Sequence, residues 1–170
     1  MTILETERLA LRTLTPEDAP FILRLLNEPS WLRFIGDKKV RTLDDARGYI
    51  QNGPMASYAR NGFGLWLVAL RPEGVPIGMC GLIKRDALQD VDIGYALLPE
   101  FWGKGYAREA AAATIAHGRD AFGLERLVAI TSLDNDASIR LLEDLGFSFE
   151  RLIRMGEEQS ETRLFGRRLG

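Results

Sequence analysis

The residues best suited to chemistry lie between Asp90 and Ala111, in D-V-D-I-G-Y-A-L-L-P-E-F-W-G-K-G-Y-A-R-E-A-A. Gly103 and Gly105 flank Lys104, so successive backbone N–H groups can turn toward one point with no side chain in the way. An alanine-rich stretch that reads as a helix begins directly after them. The first N–H groups of a helix lack partners and its dipole favours an anion, so the stretch is a candidate phosphate cradle fed by a strand. Two nucleotide motifs are excluded. A G-x-G-x-x-G fingerprint needs glycine where Arg108 stands, and its strand should open the fold. A P-loop needs Ser or Thr after Gly-Lys, where Gly105 stands.

The strand ahead of the loop carries an acid. Alternation puts Asp92, Gly94 and Ala96 on one face, opposite Val91, Ile93 and Tyr95. A carboxylate beside two small residues leaves room for a ligand or a water, which makes Asp92 a candidate base. A structural acid, paired with a neighbouring Arg or amide, is the other reading. Cys80, the sole cysteine, sits mid-strand in I-G-M-C-G-L-I and reads as a buried thiol. His117, the sole histidine, lies inside the helix after the loop at the edge of its apolar stripe. No His/Cys/Asp/Glu cluster has metal-ligand spacing, so no metal is expected.

Around these residues the chain reads as one domain over residues 1–170, 46% of them hydrophobic. A formal net charge of −2 argues against a nucleic-acid partner. The longest purely apolar run, Leu65 to Leu70, falls far short of the ~20 residues a membrane span needs. Glu5 and Glu7 stand early with no long apolar run beside them, so no signal peptide is expected. With a single cysteine, a reducing, cytoplasmic setting follows.

The elements that position the loop can be read in order. Leu9 to Leu14 is a strand, and Thr15-Pro16-Glu17-Asp18 starts a helix with Phe21, Ile22, Leu25 and Leu26 as its stripe. Trp31, Leu32, Phe34 and Ile35 lack a period. That irregular segment could line a substrate groove or staple two helices. Thr42 with Asp45 begins a second helix running to about Gly53, and Tyr58 to Gly62 reads as a turn. Gly64 to Leu70, Pro76 to Lys84 and Val91 to Leu98 are three strands joined by short turns, hence an antiparallel meander. After the loop helix, Arg126 to Ser132 is a strand parallel to Val91–Leu98. Asn135 to Leu145 is a last helix; two alternating runs, Phe147–Met155 and Thr162–Leu169, turn at Gly156-Glu157-Glu158. The class is α/β with a mixed, mostly antiparallel central sheet flanked by helices.

Three stretches, taken together, resemble the GNAT superfamily of acetyl-CoA-dependent N-acyltransferases, and within it the RimJ/RimL branch. They are the opening E-T-E-R-L-A-L-R-T-L-T-P-E-D, the D-I-G-Y-A-L-L-P-E-F-W-G-K-G-Y-A-R-E-A stretch, and L-D-N-D-A-S-I-R-L-L-E-D-L-G-F. They span nearly the whole chain in the right order. The resemblance implies that Lys104, Gly105, Tyr106, Ala107 and Arg108 donate backbone N–H bonds to the CoA pyrophosphate, with Gly103 and Gly105 permitting the turn. Trp102 stands where the superfamily often has Gln or Arg, and Trp is usual in this branch. It further implies a parallel strand pair that splays, with pantetheine inserted along Ile93, Gly94 and Tyr95 like an extra strand. Asn135 matches the position that bonds the pantetheine arm; on its own it also reads as a helix N-cap.

The implied reaction is attack of a neutral amine on the acetyl-CoA thioester. A base would free the amine lone pair, and a donor would settle the departing thiolate. The family often has Glu where Asp92 stands, so the shorter acid would act through a water. Many relatives use a Tyr in the last helix, where this chain has Leu142. Ser138, one turn earlier, matches a Ser proposed as the donor in this branch; a structural hydroxyl is the other reading. An α-amine with a pKa of about 8 is roughly a quarter neutral at pH 7.5, and a lysine near ~10.4 roughly a thousandth, so a modest base leans toward a protein or peptide N-terminal α-amine. The acceptor would enter over the sheet face bounded by Trp31, Phe34 and the final hairpin. Small-molecule amine acetylation and a catalytically silent acyl-CoA-binding module are the rival readings, and a homodimer is compatible with all three.

Overall fold

In the computed structural model, which describes residues 1–156 and 158–170, eight strands form one sheet in the order β1-β2-β3-β4-β5-β6-β8-β7. Its first half is the expected meander: β2 (Leu9–Arg12), β3 (Leu65–Leu70), β4 (Val75–Ile83) and β5 (Asp92–Leu97), all antiparallel. A strand that the sequence reading missed, β1 (Thr2–Glu5), adds the outer edge by pairing with β2. The second half holds β6 (Arg126–Ser132), β7 (Ser148–Met155) and β8 (Ser160–Arg168), with β8 between the other two. Glu157, in the turn expected between β7 and β8, lies outside the described residues.

The two halves meet at β5 and β6, which run parallel as expected, and there the sheet opens. β4 and β5 stay in register from Gly78↔Leu97 to Ile83↔Asp92, and β6 and β8 from Arg126↔Arg168 to Ser132↔Thr162. Between β5 and β6 only Asp92↔Val128 pairs, beside a 3.0 Å bond from the Val128 N–H to the Val91 carbonyl. Each strand follows its outer neighbour, so the pair diverges above that point.

Helices cover both faces. Leu9, Leu11, Trp66, Val68, Cys80, Leu82 and Ile93 pack against Ala110, Ala111 and Ile115 of α5 (Tyr106–Phe122) and Leu142 of α6 (Asp136–Asp144). On the other face Leu67, Ala69, Met79 and Ala96 pack under α1 (Ala19–Leu26), α2 (Pro29–Phe34) and α3 (Leu43–Ile50). The helix starts form as their sequences dictate. The Asp18 carboxylate accepts the Thr15 N–H at 2.9 Å, and Thr42 Oγ1 accepts the Asp45 N–H at 3.0 Å.

Two segments differ from expectation. Trp31–Ile35, read as irregular, is mostly helical: Pro29 opens α2 with its fixed φ, and Trp31 turns into the core while Leu32 and Ile35 stay exposed. So short a helix shows no full period. Tyr58–Gly62, read as a turn, is the end of a helix. α3 continues through a π turn (Gln51–Met55), which accommodates Pro54, into α4 (Ala56–Asn61), and stops at Gly62 with φ +80°.

Candidate active site

The glycine loop follows β5 through a short turn, Pro99–Phe101. Trp102 anchors it by donating Nε1–H to the Leu97 carbonyl at 2.9 Å, while its ring is 51% exposed. Gly103 and Gly105 sit at φ +71° and +82°, where a side chain would be strained. The first helical bond of α5 runs from the Glu109 N–H to the Gly105 carbonyl. Among the described residues, no N–H from Gly103 to Arg108 donates to another protein group. Six consecutive amides at a helix start are thus free for an anion.

The splay offers a second set of open backbone groups. The Val91 carbonyl faces β6, and backbone groups alternate edges along a strand, so those of Ile93 and Tyr95 face the gap as well. The Ile93 side chain is buried in the core under α5, which leaves its backbone for a ligand. Gly94 keeps the opposite face small; a Cβ there would already stand 3.1 Å from Ile83 Cδ1.

Over the gap lies the start of α6. Asn135 caps it, its Oδ1 accepting the Ser138 N–H at 3.3 Å. Among the described residues its amide NH2 donates to no protein group. Ser138 Oγ lies 2.8 Å from the Tyr95 hydroxyl, and burial pushes that phenol up to about 12, so it keeps its proton. Leu142 is 1% exposed and belongs to the core. Thr131 of β6, which counting from Asp92↔Val128 sets level with Tyr95, has a buried hydroxyl with no partner among the described residues.

Asp92 lies on the other face of β5, at the closed end of the splay. It is 1% exposed, and Arg85 Nε donates to its Oδ1 at 3.1 Å, while Oδ2 has no partner among the described residues. Burial raises the carboxyl to about 6 against the opposing pull of Arg85. An arginine partner, which the structural-acid reading of Asp92 called for, is therefore present, and it occupies one oxygen of two. Arg85 carried no sequence signal as a site residue, because only the fold of the turn brings it back onto β5.

On the same face, Trp31 packs inward at 5% exposure, its indole N–H without a partner among the described residues. Phe34 is half-buried, with the Arg33 guanidinium 4.5 Å over its ring. Arg33 also reaches Asp134, beside Asn135, at 3.1 Å. The segment that was expected to bound an acceptor thus touches the turn before α6.

A sheet that opens between two parallel strands, with a free-amide loop at the mouth of the gap, is the arrangement that the resemblance implied for an acyl-CoA-dependent transferase. The chain matches the family model described as Acetyltransferase (GNAT) domain over residues 8–148, and it belongs to that family of acetyltransferases. It is 32% identical over 161 residues to the uncharacterised N-acetyltransferase YoaA of Bacillus subtilis, covering 94% of this chain and 90% of that protein. Among solved structures, an acetyltransferase from Agrobacterium tumefaciens superposes with a TM-score of 0.83 at 25% identity, covering 98% of this chain and 94% of the other. RimL, a ribosomal L7/L12 alpha-N-protein acetyltransferase solved with coenzyme A, shares the fold with a TM-score of 0.84 at 19% identity, covering 99% and 98%.

The residues present suit acetyl-CoA, the family's co-substrate. The amides from Gly103 to Arg108 would hold its pyrophosphate, and the open edge of β5 together with Asn135 would hold its pantetheine arm. When bound, it supplies the activated acyl thioester. Among the described residues no helix is long and apolar enough to cross a membrane.

Proposed function

We propose that this acetyltransferase moves the acetyl group directly to a primary amine within a ternary complex, with the α-amine of a protein or peptide N-terminus as the favoured acceptor. The observation that carries the reading is Asp92, a buried carboxyl near pKa 6 with one unpartnered oxygen. A base that weak serves an amine already partly neutral near pH 7.5, as an α-amine is and a lysine is not.

Base and donor then work from opposite sides of β5. Asp92 takes a proton from the incoming amine on the face bounded by Phe34, with Trp31 behind it. Ser138, held by Tyr95, meets the departing sulfur on the α6 face. Asp92 stands three residues from Tyr95, about 10 Å along a strand, so its proton passes through water. The same reading sets the reaction in the cytoplasm, in keeping with a single, buried cysteine.

A second reading, acetylation of a small molecule, draws on a relative of a different kind. FsC-acetyl coenzyme A-N(2)-transacetylase of Aspergillus fumigatus is 25% identical, over 85% of this chain and 64% of its own length.

The test is thiol release from acetyl-CoA against peptides with free α-amines, the same peptides blocked, lysine, polyamines and aminoglycosides. Release confined to free N-termini is expected. Release only with small amines transfers the reading to a metabolite or drug acetyltransferase. Silence across the panel, with acetyl-CoA still raising the melting temperature, favours an acyl-CoA-binding module.

A further inference from the structure

The turn between β1 and β2 reaches the glycine loop from outside. Glu109, in the first turn of α5, is held at both oxygens: Arg8 Nε donates to Oε1 at 2.7 Å, and the Arg8 N–H to Oε2 at 3.0 Å. The Thr6 hydroxyl also donates to Oε2. Clamped in this way, Arg8 spends a second arm of its guanidinium on the loop, Nη1 donating to the Lys104 carbonyl at 2.9 Å. Its Cζ lies 4.4 Å from the centroid of the Tyr106 ring. A Cβ on Gly105 would stand 3.2 Å from Nη2. One side chain thus bonds the Lys104 carbonyl, lies over Tyr106 and is clamped by Glu109 in the helix behind them.

The consequence follows from peptide geometry. In a trans peptide the C=O and the next N–H point in opposite directions. With the Lys104 carbonyl turned to Arg8, the Gly105 N–H must face away from Arg8, and it is one of the six loop amides without a protein acceptor among the described residues. A loop with two glycines has many other orientations for that plane. We infer that Arg8 is a positioning residue for the CoA pyrophosphate: it fixes the Lys104–Gly105 peptide so that the cradle is formed before the anion arrives. This rests on the reading of the loop as that cradle. Its charge is matched by Glu109, so it acts by orienting amides and not as the phosphate's cation. Preorganisation of this kind raises affinity by removing an ordering cost.

The test is calorimetric binding of CoA and of pantetheine, which lacks the pyrophosphate, to wild type, Arg8→Gln, Arg8→Lys and Glu109→Gln. Arg8 is exposed and Glu109 only partly buried, so loss of the Arg8 side chain should move the melting temperature little. Arg8→Gln is expected to lower the ratio of CoA to pantetheine affinity about tenfold. Arg8→Lys should fall with it, since an ammonium cannot span Glu109 and Lys104 together. Glu109→Gln, which loosens the clamp and leaves Arg8 in place, should shift the ratio less in the same direction; it carries the test should the Arg8 variants not fold. An unchanged ratio in Arg8→Gln, equal losses for both ligands, or full recovery in Arg8→Lys would each overturn the inference. A wild type that binds CoA no tighter than pantetheine would instead overturn the cradle itself, a result visible before any substitution.

Discussion

Tyr95 and Ser138, forty-three residues apart in sequence, meet across the open part of the sheet with their hydroxyls 2.8 Å apart. Tyr95 belongs to the strand that opens the gap and Ser138 to the helix that roofs it. With Tyr95 donating, the Ser138 proton stays free for the role proposed for it, meeting the departing sulfur. Tyr95→Phe and Ser138→Ala should each lower kcat by about fivefold with the KM for acetyl-CoA nearly kept, in line with the loss of one hydrogen bond worth roughly 1 kcal/mol. The double variant should be no worse than Ser138→Ala. Additive losses in steady-state kinetics would mean the two hydroxyls act separately.

Asp92 must be ionised to accept a proton, so kcat/KM should show a rising limb near pH 6, below the further rise that follows as an α-amine becomes neutral near ~8. Asp92→Asn should remove that limb and most turnover while CoA affinity is kept. A variant that keeps its turnover would make Asp92 a structural acid held by Arg85.

The same carboxyl predicts a stability trend of definite sign. Its folded pKa, about 6, lies above the ordinary 3.8, so between those values the folded chain holds a proton that the unfolded chain has released. This contribution to stability is therefore present below pH 3.8 and lost as pH rises to about 6, on the order of 3 kcal/mol. Melting curves of Asp92→Asn should lack the decline, so the gap between variant and wild type should widen in the variant's favour from pH 4 to 6. A gap that stays constant would place the folded pKa at its ordinary value.

Gly103→Ala tests the loop without crowding it, because nothing lies within 4 Å of the added Cβ. The penalty is the left-handed backbone alone, about 1–2 kcal/mol. A loop that escapes this strain turns its amides away, so CoA should bind roughly tenfold more weakly by calorimetry. Unchanged affinity would remove Gly103 from the cradle.

Leu142→Tyr, which restores the family's frequent helix tyrosine, should not restore a donor. The site is 1% exposed and packed in the core, so the larger ring should cost about 1–3 kcal/mol in thermal or denaturant unfolding. Enhanced turnover in a fully stable variant would contradict this.

Much of this architecture is local and therefore legible in one dimension. The glycine loop, the Thr42–Asp45 cap and the meander follow from turn chemistry, capping and alternation within a few residues of one another, and the parallel β5–β6 pair follows from the crossover helix between its strands. The face of Asp92, opposite Tyr95, needed only the two-residue repeat of a strand. Short elements escaped: β1 has four residues and α2 six, too few for a period to emerge. Contacts between distant segments could not be read at all. Arg85 on Asp92, Tyr95 on Ser138 and Arg8 on the Lys104 carbonyl depend on how a turn folds back, how a helix roofs a gap and where an edge hairpin ends. No spacing encodes those distances, because they are set by the packing of whole elements. The sequence by itself marked the glycine loop, Asp92, Asn135 and Ser138 as candidate groups, and left Arg85 and Arg8 unmarked. Only the tertiary structure decided which of them touch, and so which oxygen, hydroxyl or amide is left free to react.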